Sequence, residues 1–216
     1  MADFAHLHVH TEYSLLDGAS RIESLLDAAV EKGFEEIAIT DHGVMYGVID
    51  FYKAAKKRGI KPIIGCEVYV APRTMYDKEP RKDHNQYHLV LLAENNTGYS
   101  NLVYMVSKAF TEGFYYKPRV DMDLLRQRSE GLIALSACLA GEIPFYLTEG
   151  NYQRAKELCL QYNEIFGEGN FFLELQDHGI EEQRSVNEGL FKLSHETGIP
   201  LVATNDVHYV EWEDAD

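Results

Sequence analysis

The sequence predicts an α/β fold, a distorted seven-stranded β/α barrel, and three observations lead to this prediction. Short apolar runs alternate with helical patterns along the 216 residues. The runs are apolar on both faces, as in a parallel sheet that helices cover. The Gly-x-Gly-x-x-Gly fingerprint of an open dinucleotide-binding sheet does not occur in the sequence. The length suits one domain with a substantial core, so residues 1–216 are predicted to form a single domain.

Seven apolar runs are the candidate strands, and each is short enough for a strand of ordinary length. They lie at residues 5–9, 36–40, 61–69, 88–93, 132–136, 171–175 and 201–204.

Four amphipathic stretches predict helices between these strands. The first begins with a capping box, Ser20 with Glu23, and ends at Gly33. Three others end at Gly59, Gly113 and Gly198, because glycine commonly terminates a helix. The charged stretch 71–87 shows neither the helical nor the strand spacing of apolar residues. It is predicted to be a surface excursion over one rim of the barrel.

Composition limits the classes of function. The net charge of −15 opposes nucleic-acid binding by the chain alone, because phosphate neutralisation supplies most of the non-specific affinity. The substrate is therefore not a nucleic acid, or another domain supplies affinity, or metal ions offset the acidic site. The last residues, EWEDAD, carry no helix-stop signal, so a fragment of a longer chain is expected.

Compartment signals favour the cytoplasm. No apolar run approaches the roughly 18 residues that span a membrane, and the first residues lack the basic and apolar regions of a signal peptide. The three cysteines are widely spaced, which is typical of a reducing compartment rather than a disulfide framework. Cys66 and Cys159 are expected in the core.

Metal-capable side chains recur where the predicted strands end, which is where barrel proteins collect their functional residues. One such pair, as in His8 and His10, is a weak signal, since two exposed histidines would give the same pattern. Together, imidazoles, carboxylates and one thiol suit Zn²⁺, Mn²⁺ or Fe²⁺ and exceed one tetrahedral site. A cluster of two or three ions with a bridging carboxylate is therefore predicted. The metal-capable residues at the strand ends are His8, His10, Asp17, Asp41, His42, Glu67, Cys138, Asp177, His178, Asp206 and His208.

These motifs resemble the polymerase and histidinol phosphatase (PHP) family, and especially its branch at the N-terminus of bacterial replicative DNA polymerases. The resemblance covers essentially the whole chain in order, including stretches to which it gives no metal role, such as ENNTGYSNLV. It rests on HLHVHTEYSLLDG, AITDHG, GCEVYV, YHLVLLAENNTGYSNL, GLIALSACLAGEI and VATNDVHY.

The resemblance implies a distorted seven-stranded barrel with up to three ions at the C-terminal ends of its strands. It assigns the first ion to His8, His10, Glu67 and Asp206. It makes Glu67 a bridge to a second ion, held also by His88 and Cys138. It gives the third ion to Asp17, His42 and His208.

Two ligands depart from the expected pattern. His88 stands at the start of its predicted strand, so either the strand boundary is wrong or this strand runs opposite to the others, and His84 is the alternative ligand. Cys138 stands where phosphatase-type members tend to have histidine, which predicts a second ion that is more sensitive to oxidation.

Other residues have two interpretations each. His6 is expected one step below the ligands, either as a core histidine or as a partner of a ligand. Asp41 is expected to accept from an imidazole N–H. His178 either contacts a substrate phosphate or acts as an acid, or it is a hydrogen-bonded residue of the rim. Lys117 and Arg119 either contact phosphate or belong to a surface turn. The tyrosines, which include Tyr115 and Tyr116, are expected to pack rather than to stack bases.

Three functions are implied by the resemblance. The first is a metal-dependent phosphodiesterase, a 3′–5′ proofreading exonuclease with Glu67, Asp206 and His178 as catalytic residues. The second is a structural docking module that metals stabilise, and the third is a phosphomonoesterase of the histidinol phosphatase type. The implied partners are DNA through a full-length polymerase, the remaining polymerase domains and an exonuclease subunit, with no membrane. No polymerase activity is expected within residues 1–216.

Overall fold

The computed structural model describes residues 4–215, in which helices surround one curled sheet. The strands are β1 (Glu36–Ile39), β2 (Lys61–Val70), β3 (Tyr87–Ala93), β4 (Arg119–Val120), β5 (Leu132–Leu135), β6 (Phe171–Leu175) and β7 (Leu201–Ala203). The helices are α1 (Ile22–Glu31), α2 (Val48–Arg58), α3 (Asn96–Thr111), α4 (Met122–Arg128), α5 (Glu142–Thr148), α6 (Tyr152–Phe166) and α7 (Glu181–Thr197), and a 3₁₀ turn covers Trp212–Ala215. No helix in this part of the chain is long and apolar enough to cross a bilayer.

The strand order is β1-β2-β3-β5-β6-β7, with β4 added beside β2. The expectation of an all-parallel sheet is wrong for β3, which runs antiparallel to β2 and to β5. The pairs β1–β2, β5–β6 and β6–β7 are parallel, as expected. No helix lies between β2 and β3, so the chain returns through the 71–87 excursion and makes no crossover.

The first predicted strand, 5–9, forms isolated bridges instead of a regular ladder. His6 pairs with Ile37 of β1 on one side, and Val9 pairs with Val207, just after β7, on the other. Backbone bonds from the N–H of His10 to the carbonyl of Val207, and from Val207 to His8, strengthen this contact. The pairings thereby continue around the sheet, and the predicted distorted barrel is confirmed.

Helix ends follow the glycines more closely than helix starts follow the polar residues. Gly33, Gly59 and Gly198 adopt positive φ of 76–78° just after α1, α2 and α7, and α3 ends two residues before Gly113. The predicted capping box is wrong. The first N–H of α1, that of Ile22, donates to Glu12, and the buried Ser20 hydroxyl has no partner.

The core has two large parts and a smaller one inside the barrel. The largest lies between the sheet and α3–α7, and includes Cys66 and Cys159 as expected. A second packs α1 and α2 against β1, and the barrel interior holds Ala38, Val90, Leu92, Leu135 and Ala137. The 71–87 excursion is anchored to the barrel, because Met75 and Asp83 are buried.

Candidate metal centre

All nine predicted ligands meet in one continuous cluster at one end of the barrel. Every member lies within 4.0 Å of another member, atom to atom. Three members of the cluster, His8, His10 and Glu67, are completely buried. The other six line a cavity of about 580 Å³, namely Asp17, His42, His88, Cys138, Asp206 and His208.

Glu67 lies at the centre of the cluster. β2 delivers it from within the barrel wall, and its two oxygens face different histidines. Oε2 lies 2.8 Å from Nε2 of His8, while Oε1 lies 2.5 Å from Nδ1 of His42 and 2.8 Å from Nδ1 of His88. Burial acts to raise the pKa of Glu67, but the three imidazoles, His88 foremost, hold it well below its usual value. A carboxylate so placed can bridge two ions.

His10 and Asp206 face each other with unsatisfied atoms. Nε2 of His10 lies 3.2 Å from Oδ1 of Asp206, and both atoms are buried without a hydrogen-bond partner. Burial lowers the pKa of His10 to about 4. Burial acts to raise the pKa of Asp206, but His10 and His8 lower it to about 2. A neutral imidazole and an ionised carboxylate are the states that bind a divalent ion, so this buried pair fits a metal.

Glu174 is a partner of His8 that sequence reasoning missed. Its Oε1 lies 2.7 Å from Nδ1 of His8, which leaves Nε2 directed at Glu67 and Asp206. Burial acts to lower the pKa of His8, but the carboxylates, Glu174 first among them, hold it well above its usual value. This is the carboxylate–histidine arrangement typical of metal ligands. The signal was a charged residue within the apolar run FFLEL.

A second group of histidines stacks at the entrance to the cluster. The ring of His10 stacks on those of His42 and His208, with centroids 3.9 and 4.3 Å apart. Asp17 joins them, with Oδ2 3.3 Å from Nε2 of His42 and 4.0 Å from Nε2 of His208. Ligand atoms of the three histidines lie within 4.8 Å of one another and could hold one ion.

The antiparallel course of β3 explains His88. Because β3 runs opposite to β2, its first residues lie at the rim where β2 ends, and His88 pairs with Tyr69. Its Nδ1 lies 3.7 Å from the Cys138 sulfur, and burial, with the charges of Glu67 and Asp206, raises the pKa of that thiol well above its usual value. His84 is exposed in the excursion and lies outside every metal-capable group found among residues 4–215.

Asp41 supports the cluster indirectly, through Ser14. Its carboxylate accepts from the backbone and hydroxyl of Thr11 and from the Ser14 hydroxyl. Ser14 in turn contacts Nδ1 of His10 at 3.1 Å. The expected direct bond from an imidazole to Asp41 is therefore replaced by one through Ser14. Burial, opposed by these donors, raises the pKa of Asp41.

His6 lies away from the ligands. Its ring contacts Phe4 and Phe34 edge-on, and burial lowers its pKa. Nδ1 is buried without a hydrogen-bond partner. It lines a separate apolar cavity beside α1, so the expectation of a core histidine is supported.

His178 is placed as a rim residue, and the expectation of an acid that contacts phosphate is not supported. Its Nε2 lies 2.8 Å from the Asn205 carbonyl, and its Nδ1 lies 3.0 Å from the side-chain amide of Gln183. Both ring nitrogens are therefore engaged, and His178 does not line the cavity of the cluster. Neighbouring Asp177 accepts from the backbone of Gly179.

The two predicted phosphate-contacting residues separate in the structure. Lys117 lines the cavity, with its ammonium 5.3 Å from the ring centroid of Tyr69. Arg119 is fully buried, and its guanidinium donates to the carbonyls of Gly113, Met75 and Asp77. Its predicted role in substrate binding is wrong, because every donor direction faces protein rather than the cavity.

Backbone strain collects at this cavity. Among the described residues, three that are not glycine have positive φ: Tyr116 at 59°, Ala137 at 62° and Asp206 at 48°. Tyr116 and Asp206 line the cavity, and Ala137 precedes Cys138, which also lines it. Such conformations cost of order 1–3 kcal/mol each and gather at functional sites.

The fold and site together define a class, an α/β-barrel protein with a buried cluster of metal-capable side chains open to one cleft. The family model of the PHP domain matches residues 6–178. The chain belongs to this family, as the sequence motifs predicted.

The chain is also similar, over nearly its whole length, to curated bacterial DNA polymerase subunits. The chain is 52% identical to DNA polymerase III subunit alpha of Treponema pallidum and 47% identical to that of Thermus aquaticus. Each match covers 98% of this chain and 18% of the relative, so the chain spans under a fifth of their length.

Two solved structures share the fold at low identity. An amidohydrolase from Chromobacterium violaceum matches with a TM-score of 0.59 at 16% identity, over 97% of this chain and 89% of its own. A two-domain protein from Bacteroides vulgatus, containing a predicted PHP-like metal-dependent phosphoesterase, matches with 0.52 at 15% identity, over 95% and 52%.

Proposed function

We propose that the chain is a single PHP domain, residues 1–216, of a cytoplasmic replicative DNA polymerase, and that it hydrolyses phosphodiesters as a metal-dependent 3′–5′ exonuclease. The observation that carries the proposal is the orphaned pair of His10 Nε2 and Asp206 Oδ1 at the floor of an open cavity. A buried donor or acceptor without a partner costs about 1–3 kcal/mol, and a divalent ion would satisfy both atoms together.

The proposed ligand sets are based on the contacts within the cluster. His8, His10 and Asp206 form one metal-capable group, and His42, Glu67 and His88 form another. Cys138 extends the second, and Asp17 with His208 completes a third around His42. Two to three ions, Zn²⁺, Mn²⁺ or Fe²⁺, suit these donors, with Glu67 shared between two of them.

The chain's own residues would then bind and position the phosphodiester. When bound, divalent ions lower the pKa of water and offset charge on the phosphate. Lys117 lies in the same cavity and would pair with a phosphate oxygen. Asp206 is partly exposed to the cavity, so its carboxylate would be accessible to the reacting group. Glu67 is completely buried and would act only by holding ions.

A second function is favoured by the burial of the cluster. His8, His10 and Glu67 are completely inaccessible, so ions bound there would link β2 to the N-terminal segment and the segment after β7. A net charge of −15 also opposes DNA. In this second function the ions stabilise a module that docks the remaining polymerase domains or an exonuclease subunit, with no hydrolysis.

Hydrolysis of the nitrophenyl ester of thymidine 5′-phosphate with added Mn²⁺ tests the first function. This small substrate avoids the repulsion between DNA and an acidic chain. The wild type should turn over, and His10→Ala should lose at least about 100-fold in kcat/KM, within the range that ligand loss allows. The exposed His84 provides the matched control, since His84→Ala should retain activity.

The contrary result also has a definite meaning. Circular dichroism confirms the fold of each variant before activity is measured. If folded, Mn²⁺-loaded wild type does not turn over the ester, the exonuclease proposal fails and the structural module replaces it.

A further inference from the structure

The wall of the metal cavity is aromatic on one side. Phe110 at the end of α3, Phe114 just beyond it and Tyr116 all line the cavity that also holds the candidate ligands. Their exposed fractions are 36%, 49% and 67%, and the rings of Phe110 and Phe114 lie 6.3 Å apart at 31°. We call these three residues the aromatic wall.

The aromatic wall is held in place by Arg119. The guanidinium donates to the Gly113 carbonyl and lies 5.1 Å from the Tyr115 ring centroid, so it secures both sides of Phe114. A Cβ at Gly113 would lie 2.0 Å from the Arg119 carbonyl, which shows how closely the two segments approach. Tyr115 packs against this guanidinium, as expected, whereas Tyr116 is mostly exposed.

Tyr116 is presented to solvent at an energetic cost. It adopts a φ of 59°, unusual for a bulky residue, in a turn where the N–H of Tyr115 donates to the Lys117 carbonyl. Its ring contacts that of Tyr115, with centroids 4.6 Å apart, but it remains mostly exposed, so core formation does not account for the strained turn. Tyr116 therefore contacts a neighbouring ring but does not pack into the core.

Charge and shape together identify the occupant. Lys117 comes directly after Tyr116 and lies over Tyr69, whose ring is in turn 5.3 Å from that of His88. A ligand that fits this cavity therefore has an anionic group near Lys117 and the metal-capable cluster, and a flat apolar group beside the aromatic wall. A nucleotide has both, because a phosphate adjoins a base with a π-face.

We propose that the aromatic wall stacks the terminal base of single-stranded nucleic acid, with Lys117 beside the adjoining phosphate. This inference rests on the proposed phosphodiesterase function and names its substrate class. Stacking would also let a chain with a net charge of −15 bind nucleic acid, because a base can be attracted without a basic surface.

Fluorescence of a short single-stranded DNA with 2-aminopurine at its 3′ end tests the stacking directly. The terminal linkage is a phosphorothioate to slow hydrolysis, and Mn²⁺ is present. The wild type should quench the fluorophore as it binds. Tyr116→Ala and Phe114→Ala should each raise Kd roughly tenfold, within the range for one stacked base. Tyr52→Ala, which removes a comparably exposed tyrosine from α2, should bind as the wild type does.

A second readout uses two hydrolysable oligonucleotides that differ only in their 3′ end, one with a base and one abasic. The wild type should show a KM roughly tenfold lower for the base-bearing end, and Tyr116→Ala should lose this preference. Tyr52→Ala should retain it.

The two proposals can fail separately. If neither oligonucleotide is hydrolysed, the phosphodiesterase proposal fails, and the quenching measurement still tests the wall. If the wild type does not quench 2-aminopurine, or if Tyr116→Ala and Phe114→Ala bind as tightly as the wild type, the aromatic wall does not receive a base and this inference is overturned.

Discussion

At the scale of single residues, Glu174 determines how His8 presents its ring. Its carboxylate meets Nδ1 of His8 and also accepts from Gln176 and Thr204, so three elements restrain it. With Nδ1 engaged, Nε2 is the only ring nitrogen of His8 that faces the centre of the cluster. Glu174 is therefore a positioning residue that acts through His8.

Glu174→Gln should weaken metal binding by about 10–100-fold, the usual loss when such a partner is removed. The amide keeps the shape but loses the charge that supports the imidazole. Competition with a chromogenic chelator measures the affinity for Zn²⁺. Glu188, exposed on α7, is the matched control, and Glu188→Gln should bind as the wild type does. An unchanged affinity in Glu174→Gln would contradict this role.

At the scale of elements, Arg119 connects three parts of the chain. It belongs to β4, the two-residue strand beside β2, and its donors reach the 71–87 excursion and Gly113 in the loop after α3. The excursion therefore depends on one buried side chain as well as on its own pair of Arg73 with Asp83.

Arg119→Ala should destabilise the fold by roughly 3–5 kcal/mol. The substitution leaves several buried carbonyls without a donor, each at a cost of about 1–3 kcal/mol, and it creates a cavity. Urea denaturation measures the loss. Arg126→Ala, which removes an exposed arginine from α4, should change stability by less than about 0.5 kcal/mol. Similar midpoints for the two variants would show that Arg119 is not a structural anchor.

The start of α3 depends on close contact with the turn before β5. Gly98 lies in the first turn of α3, and a Cβ there would lie 1.7 Å from the Gly131 carbonyl. A Cβ at Gly189, in the middle of α7, would have as its nearest neighbours the side-chain atoms of Leu147, the closest at 2.9 Å. The two glycines therefore differ in whether their neighbour is backbone or side chain.

Gly98→Ala should destabilise the chain by about 1–3 kcal/mol, because a backbone segment must shift to relieve the overlap. Gly189→Ala should be close to neutral, since the gain in helix propensity of up to about 1 kcal/mol offsets the movement of Leu147. Thermal denaturation of both variants provides the comparison. A stable Gly98→Ala variant would mean that α3 can move away from β5 freely.

At the scale of the whole molecule, the cluster joins the two ends of the barrel wall. His8 and His10 come from the N-terminal segment, Glu67 from β2 and Asp206 from the segment after β7. An ion held by these residues binds the folded chain and not the unfolded one, so it should raise stability by mass action.

Zn²⁺ at a hundredfold above its Kd should stabilise the chain by about 2.7 kcal/mol, which corresponds to roughly 5–10 °C in Tm for a chain of this size. A chelator should reverse the shift. His10→Ala should lose most of it, whereas His195→Ala, at an exposed position on α7, should retain it. Scanning calorimetry with and without Zn²⁺ measures this. Equal shifts in both variants would place the ion elsewhere.

Local periodicity and residue chemistry determined much of this protein in advance. Six of the seven strands and the helix-ending glycines could be located, because apolar runs and positive-φ glycines depend on near neighbours in the chain. Eight of the nine candidate ligands were predicted at strand ends, which a barrel brings together, whereas His88 followed only from the resemblance to the PHP family.

Only the tertiary structure decided the direction of β3, the partner of His8, the burial of Arg119 and the exposure of Tyr116. The antiparallel return of β3 places His88 at the rim, and it depends on pairing with β2 and β5, which no local pattern encodes. Glu174 lies 166 residues from His8. An arginine or a tyrosine can face protein or solvent, and the packing of distant segments decides which.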